Sequence, residues 1–118
     1  MPTSLNYAIR FVSDMDRAVR FHRDVLGLKL RFQSPEWTEF DTGATTLALH
    51  MASEQNPAGS CQLGFGVPDL AAFQSQALLQ GARFTASPAP LHGRSLAKFL
   101  DTDGAECSVS APLPSSQI

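Results

Sequence analysis

The sequence predicts an α+β protein made of two tandem βαβββ modules. Three observations support this prediction: an alternating apolar run precedes each of two helical patterns, each helical pattern begins at an aspartate, and a glycine-containing turn precedes the last strand of each half. Asp69 follows Asp14 by 55 positions in a chain of 118 residues. Because the three signals recur in the same order, they favour a duplicated unit over coincidence.

The first module is assigned to residues 5–51. Residues 5–12 alternate between apolar and polar side chains, as a strand does. The helical pattern then runs from Asp14 to Gly27, because apolar residues recur at the spacing of one helix face and glycine favours the helix end. Turn residues separate the three strands that follow, which are predicted at 29–33, 38–41 and 45–51.

The second module is assigned to residues 60–111. A polar segment with proline and glycine, residues 52–59, reads as the linker between the modules. The second helical pattern opens at Asp69 and closes at Gly81. The predicted strands are 61–67, 83–86, 96–100 and 105–111. The remaining segments are a loop at 89–94 that carries His92 and a loose tail at 112–118.

Composition excludes several classes of protein. The chain is 43% apolar with a formal net charge of −2, and its nine Lys and Arg residues form no basic stripe, so we expect neither nucleic-acid nor membrane binding. No apolar stretch approaches the roughly 18 residues of a membrane span, and the N-terminal residues lack the pattern of a secretion signal. We therefore expect a cytoplasmic protein. Cys61 and Cys107 are expected to be reduced thiols in small core positions.

Two segments resemble the vicinal oxygen chelate superfamily. Residues 11–28, FVSDMDRAVRFHRDVLGL, are similar to its V-S-D-L…F-Y-x-D-V-L-G-L segment, and residues 101–104, DTDG, are similar to its D-P-D-G turn. The superfamily includes glyoxalase I, bleomycin resistance proteins, fosfomycin resistance enzymes and extradiol dioxygenases. The resemblance implies a single domain over residues 1–118, in which βαβββ modules pair into a curled mixed sheet around a cleft, either within one chain or between the two chains of a dimer. It also implies a homodimer.

The resemblance also implies where a metal ion would bind. Metal-dependent members place one ligand on the first and last strand of each module, usually His, Gln or Glu. The corresponding residues here are Asn6 or Tyr7, Ala48, Gln62 and Ser108. These residues include no carboxylate and no imidazole, and high affinity for a divalent ion normally needs one of them or a thiolate. We therefore expect no metal cofactor, and the fallback set of metal ligands is His50, Gln62 and Glu106.

The first strand leaves two registers open. Counting back from Asp14 gives Tyr7 as the ligand position. The apolar alternation instead predicts that Tyr7 and Phe11 face the helices, which leaves Asn6 and Arg10 for the cleft. The second register requires one extra residue, such as a bulge near Phe11.

Several polar and aromatic residues are candidates for ligand binding. Trp37 and Glu39 share one strand face and would offer a stacking surface and an acid to a cationic or aromatic ligand, although Trp37 fits a sheet rim or dimer contact equally well. Arg10 needs an anionic partner or water because it interrupts an apolar run. His50 shares a face with Ala48 and fits three roles: a general base, a rescued metal ligand or a polar contact at the strand end. The last is preferred because the sequence shows no carboxylate partner for it. The candidate set is Asn6, Arg10, Trp37, Glu39, His50, Gln62 and Ser108.

The preferred function is binding of a small molecule without the usual catalytic metal, either by sequestration as in bleomycin resistance proteins or in another binding role. The alternative is a divalent-metal-dependent glyoxalase-like lyase or isomerase, or a thiol transferase, acting on a small oxygenated substrate. The sequence leaves open whether the chain is an enzyme. A third possibility is a structural or regulatory dimer whose cleft is filled by its own side chains.

Overall fold

The computed structural model describes residues 2–113. The described part of the chain divides into two compact units. The first module is Asn6–Gln62, and the second module comprises residues 63–113 together with residues 2–5. The strands are β1 (Ser4–Val12), β2 (Lys29–Gln33), β3 (Trp37–Asp41), β4 (Thr46–Met51), β5 (Cys61–Gly66), β6 (Arg83–Leu91), β7 (Arg94–Leu100) and β8 (Glu106–Pro112). The helices are α1 (Met15–Arg20), continued by a π-helical turn at Phe21–Val25, and α2 (Leu70–Leu79). The α+β class and both βαβββ orders are confirmed.

The first module has a mixed sheet in the order β2-β3-β4-β1. Strand β1 runs parallel to β4, and the other two strand pairs are antiparallel. Helix α1 covers one face of this sheet, where Met15 and Val19 pack against Phe40 and Leu49. Burial of these apolar side chains supplies the main stabilisation of the module.

The second module repeats the arrangement with the order β6-β7-β8-β5. Strands β5 and β8 are parallel, and the other two pairs are antiparallel. Leu70 of α2 packs on Ala97, Val109 and Ala111, and four phenylalanines surround this cluster: Phe65, Phe73, Phe84 and Phe99. Each module therefore has its own core on the helix side of its sheet.

The two helices begin in the same way. Asp14 accepts a hydrogen bond from the backbone N–H of Arg17, and Asp69 accepts one from the backbone N–H of Ala72, each at 3.1 Å. Their backbone angles are nearly identical, with φ −142° at both and ψ 105° and 107°. Both are N-caps that satisfy a helix donor that would otherwise lack a partner. The predicted repeat is therefore present at the level of backbone geometry.

Two predicted segments differ from the structure. The first helix is regular only to Arg20, because the N–H of Leu26 bonds the carbonyl of Phe21 and forms a π-turn. The predicted loop 89–94 is mostly strand, since β6 and β7 form a hairpin that turns at His92 and Gly93. Both turn residues have positive φ, 51° and 77°, as a two-residue type I′ turn requires.

The C-terminal end of the second module differs slightly from the prediction. Strand β8 reaches Pro112, one residue into the predicted tail, and residues 114–118 of that tail lie outside the described residues. No helix within residues 2–113 has the length and hydropathy needed to cross a membrane.

Candidate functional site

One face of the first module's sheet is turned away from α1. The strand register places Tyr7 beside Thr46 and Phe11 beside His50. The β3–β4 register places Trp37 beside His50. This helix-free face of the first module carries Tyr7, Ile9, Phe11, Trp37, Glu39, Thr46, Ala48 and His50. Side chains of α1 pack on the opposite face, through Phe40 and Leu49.

Four rings form a connected group on this face. The ring centroids of Tyr7 and Trp37 are 5.9 Å apart with an interplanar angle of 64°, and those of Trp37 and His50 are 6.0 Å apart at 84°. Phe11 lies 5.4 Å from His50. The first two pairs have the edge-to-face arrangement that aromatic rings prefer, and the third pair is tilted at 57°. His50 is exposed and Trp37 is half-buried, so the group presents ring surface to solvent.

A polar network fixes the orientation of Trp37. Its indole Nε1 donates to Glu39 Oε2 at 2.8 Å, while Arg31 Nη2 donates to Glu39 Oε1 at 3.0 Å. The same Arg31 nitrogen also donates to the hydroxyl of Thr46. Both oxygens of the Glu39 carboxylate therefore have partners. We expected Glu39 to offer an acid to a ligand, whereas the structure shows it holding the indole.

The hydrogen bond of His50 defines its neutral tautomer. Nδ1 lies 2.8 Å from the carbonyl oxygen of Met51. Because a carbonyl oxygen only accepts, Nδ1 carries the proton, and Nε2 of the neutral ring is an acceptor. The exposed edge of the aromatic group thus ends in one acceptor nitrogen.

Of the two registers left open for β1, the structure has the one that gives Tyr7 as the ligand position, and the register with Asn6 on that face is excluded. Tyr7 and Phe11 lie on the helix-free face, and the β1–β4 register continues without a shift from Tyr7 to Val12, so β1 has no bulge near Phe11. Asn6 and Arg10 lie on the opposite face by alternation. Arg10 donates from Nη1 to the carbonyl of Gly59 at 2.6 Å, so its anticipated partner is a backbone oxygen of the linker. The apolar residues of β1 did not identify the helix side, because Ile9 and Phe11 pack in a core cluster on the helix-free side.

The second module also has a face turned away from its helix. Val109 packs towards α2, so its neighbours Ser108 and Ser110 point the other way, as do Arg94 and Lys98 on β7. Glu106 shares this face and accepts from the hydroxyl of Thr85 at 2.7 Å. Gln62 is buried on β5, on the same side of the strand as Gly64, the partner of Ser108.

The donor set implied by the resemblance does not fit a divalent metal. The structure selects Tyr7 over Asn6, and the four positions then hold a phenol, a methyl group, an amide and a hydroxyl. Ala48 is fully buried and has no donor atom in its side chain. Within residues 2–113 no three His, Cys, Asp or Glu residues are grouped to hold an ion. In the fallback set, the carboxylate of Glu106 is already bonded to Thr85 and lies 3.8 Å from the Lys98 ammonium.

Sequence reasoning missed three residues of these faces. Phe11 was assigned to the helix side, Arg31 was read only as part of a strand, and Arg94 fell in the predicted loop. A bulge in β2 between Leu30 and Phe32 places Arg31 out of the regular alternation, so no periodic signal marks it.

The chain was compared with known families and proteins. Residues 4–109 match the model of the Glyoxalase/Bleomycin resistance protein/Dioxygenase superfamily. No curated protein matches the chain with statistical significance.

Solved structures share its fold at low identity. A hypothetical protein from Bacillus halodurans C-125 has a TM-score of 0.83 and 15% identity, with 100% of each chain covered. Methylmalonyl-CoA epimerase from Mycobacterium tuberculosis has a TM-score of 0.77 and 19% identity, covering 93% of this chain and 88% of that one. A variant of the Streptomyces coelicolor epimerase in complex with 2-nitronate-propionyl-CoA has a TM-score of 0.71 and 16% identity, covering 93% and 97%.

Proposed function

Because this chain belongs to the Glyoxalase/Bleomycin resistance protein/Dioxygenase superfamily, we propose that it binds a small organic molecule on the helix-free face of the first module, without a divalent metal ion. The main support for this proposal is the group of aromatic rings on that face. In this group Trp37 is hydrogen-bonded to Glu39 and flanked by Tyr7 and His50. A pre-oriented aromatic surface binds flat apolar groups at low entropic cost.

The same face indicates the chemistry of the ligand. Flat or aromatic groups stack on tryptophan and tyrosine rings, and the acceptor Nε2 of His50 would pair with a ligand hydroxyl or N–H. The Glu39 carboxylate is occupied by Arg31 and Trp37, so the ligand gains no cation site there. We propose a flat molecule without a positive charge and with one hydrogen-bond donor at its edge.

The chain offers an internal reporter for this proposal. Trp37 is the only tryptophan in the 118 residues, so its fluorescence reports on one site. Chelator-treated protein would be titrated with a panel of small aromatic alcohols, phenols and acyl-CoA thioesters. The thioesters are included because methylmalonyl-CoA epimerases are among the structural neighbours. We expect a saturable change in Trp37 emission with at least one compound.

A matched pair of variants separates the site from general surface effects. Trp37→Ala removes the ring that Glu39 orients, whereas Phe32→Ala removes an aromatic ring that is 52% exposed on β2. Ligand-induced thermal stabilisation should be lost in the first variant and kept in the second. Equal responses of both variants would refute the proposed site.

The alternative function, a metal-dependent lyase, isomerase or thiol transferase, is tested by adding metal ions to the same chelator-treated protein. Thermal unfolding would be followed after adding zinc, nickel, manganese or iron. An unchanged midpoint supports metal-free binding, because the neutral donors at Tyr7, Gln62 and Ser108 compete poorly with water. A stoichiometric ion that raises the midpoint, and whose effect is lost in His50→Ala, would support the alternative.

The proposal includes a homodimer. Strand β2 is an edge strand of the first module's sheet and β6 is an edge strand of the second module's sheet, and they carry the exposed apolar residues Phe32 and Leu91. Sheet edges with exposed apolar side chains favour association with a second copy. Light scattering at several protein concentrations measures this directly, and a mass of one chain at all of them would exclude the dimer.

A further inference from the structure

The helix-free face of the second module contains the two half-buried cations of residues 2–113. Arg94 and Lys98 lie on the same side of β7, and the other Lys and Arg side chains of this part of the chain belong to exposed residues. Arg94 opens the strand directly after the His92–Gly93 turn, with the serines of β8 beside it.

The two cations differ in their partners. Lys98 Nζ lies 3.8 Å from Glu106 Oε1. Arg94 has no carboxylate within ion-pair distance among the described residues. Partial burial of a charged group without an opposite charge beside it is unfavourable. Arg94 is therefore the cation of this face that a negative ligand would stabilise.

A buried serine orients the Arg94 side chain. Arg94 Nε donates to the hydroxyl oxygen of Ser110 at 3.3 Å, and Ser110 is only 6% exposed. This bond uses Nε and leaves the two terminal nitrogens to donate. The Ser110 hydroxyl accepts in this bond, so its own proton remains able to donate.

We propose that Arg94 and Ser110 form an oxyanion-binding site, which takes a carboxylate or phosphate group of a small molecule. Two parallel N–H donors, one on each terminal nitrogen of the guanidinium, match the two oxygens of such a group, and the bond from Nε to Ser110 holds the side chain that presents them. The site lies within the second module. It does not rest on the function proposed for the first module, and each can fail without the other.

The test uses inorganic phosphate and acetate as separate probes. The intact chain would be titrated with each at constant ionic strength, kept with chloride, while NMR follows the Arg94 Nε–H and Ser110 amide signals. The variant Arg94→Gln removes the charge, and Arg94→Lys keeps the charge but removes the planar pair of donors. Lys98→Gln is the matched control, because it removes a cation from the same strand face that is already paired with Glu106.

We expect saturable chemical-shift changes in the wild type. The affinity for the anion should be at least about tenfold weaker in Arg94→Gln and should fall by an intermediate factor in Arg94→Lys. In Lys98→Gln the affinity should stay within about threefold of the wild-type value. Saturation by phosphate alone assigns a phosphate group, saturation by acetate alone a carboxylate, and saturation by both a general oxyanion site. Absence of saturation with both probes, unchanged affinity in Arg94→Gln, or equal losses in the glutamine variants would overturn the proposal. If Arg94→Gln does not fold, the comparison of Arg94→Lys with Lys98→Gln decides.

Discussion

The indole nitrogen of Trp37 donates a 2.8 Å hydrogen bond to Glu39, two residues further along the same strand. The other oxygen of that carboxylate accepts from Arg31, so one acid joins an aromatic ring to a neighbouring strand. The rings of Tyr7 and His50 lie beside the indole, with centroids 5.9 and 6.0 Å from its own. The relationship shows how this module holds an aromatic surface in a fixed orientation.

Replacing Glu39 with glutamine should weaken both stability and ligand binding. The Arg31–Glu39 pair is partly exposed, with 44% and 21% of the two side chains accessible, so we expect a loss of about 1 kcal/mol in the free energy of unfolding. Chemical denaturation measures this loss. The control is Glu36→Gln, an exposed residue next to Trp37, which should change the free energy by less than about 0.5 kcal/mol. If Glu36→Gln lowered the free energy of unfolding as much as Glu39→Gln does, the hydrogen bonds of the Glu39 carboxylate would contribute nothing specific to stability.

The two N-caps should contribute equally. Asp14→Ala and Asp69→Ala each remove one carboxylate that accepts from a helix N–H, and each should cost about 1 kcal/mol of stability. The double variant should lose the sum of the two single losses if the caps act independently. Asp103→Ala is the control, because Asp103 is exposed and bonds Asp101 through its backbone N–H. If the two single variants lost different amounts of stability, the two caps would share their geometry without sharing their contribution to the free energy of unfolding.

The two thiols should differ in reactivity. Cys61 is exposed, contrary to the core position expected for it, and Cys107 is buried with 4% exposure. Burial raises the pKa of the Cys107 thiol, and the carboxylates of Asp101 and Glu106 raise it further. Native protein should therefore take up one alkyl group per chain by mass spectrometry, and unfolded protein two. Native labelling of Cys61→Ser at the wild-type rate would contradict this account.

The raised pKa of Cys107 also gives stability a pH dependence. In the unfolded chain the thiol loses its proton near its ordinary pKa of about 8.5, whereas in the folded chain it does so at higher pH. The contribution to stability is thus complete below about pH 8 and declines as pH rises through the folded pKa. Denaturation midpoints measured across this range should fall less steeply in Cys107→Ala than in the wild type. Parallel curves would exclude a contribution from this thiol.

The sequence predicts the modules well because their signals are local. Asp14 and Asp69 mark the helix starts through capping chemistry, and strand alternation places most strand ends within a few residues. Alternation separates the two faces of β1 without saying which face meets the helix. In this module both faces bury apolar groups, since Phe11 packs on one side and Val12 on the other.

The candidate site was harder to predict because its contacts join separate strands. The bonds from Arg31 to Glu39, and from Arg94 to Ser110, span 8 and 16 positions and follow no period in the sequence. The β6–β7 hairpin was read as a loop at 89–94 because Pro90, His92 and Gly93 are typical of turns. Only the strand register shows that Arg94 and Ser110 share a face.

The central claim is that the first module binds a small molecule at Trp37 without a metal ion. The most direct test follows the indole N–H signal, which is unique because the chain has one tryptophan, in proton–nitrogen NMR spectra of chelator-treated protein. Addition of the compound selected by fluorescence should shift this signal in a saturable way, and Glu39→Gln should weaken the binding. An indole signal that stays in place until a divalent ion is added would contradict the claim.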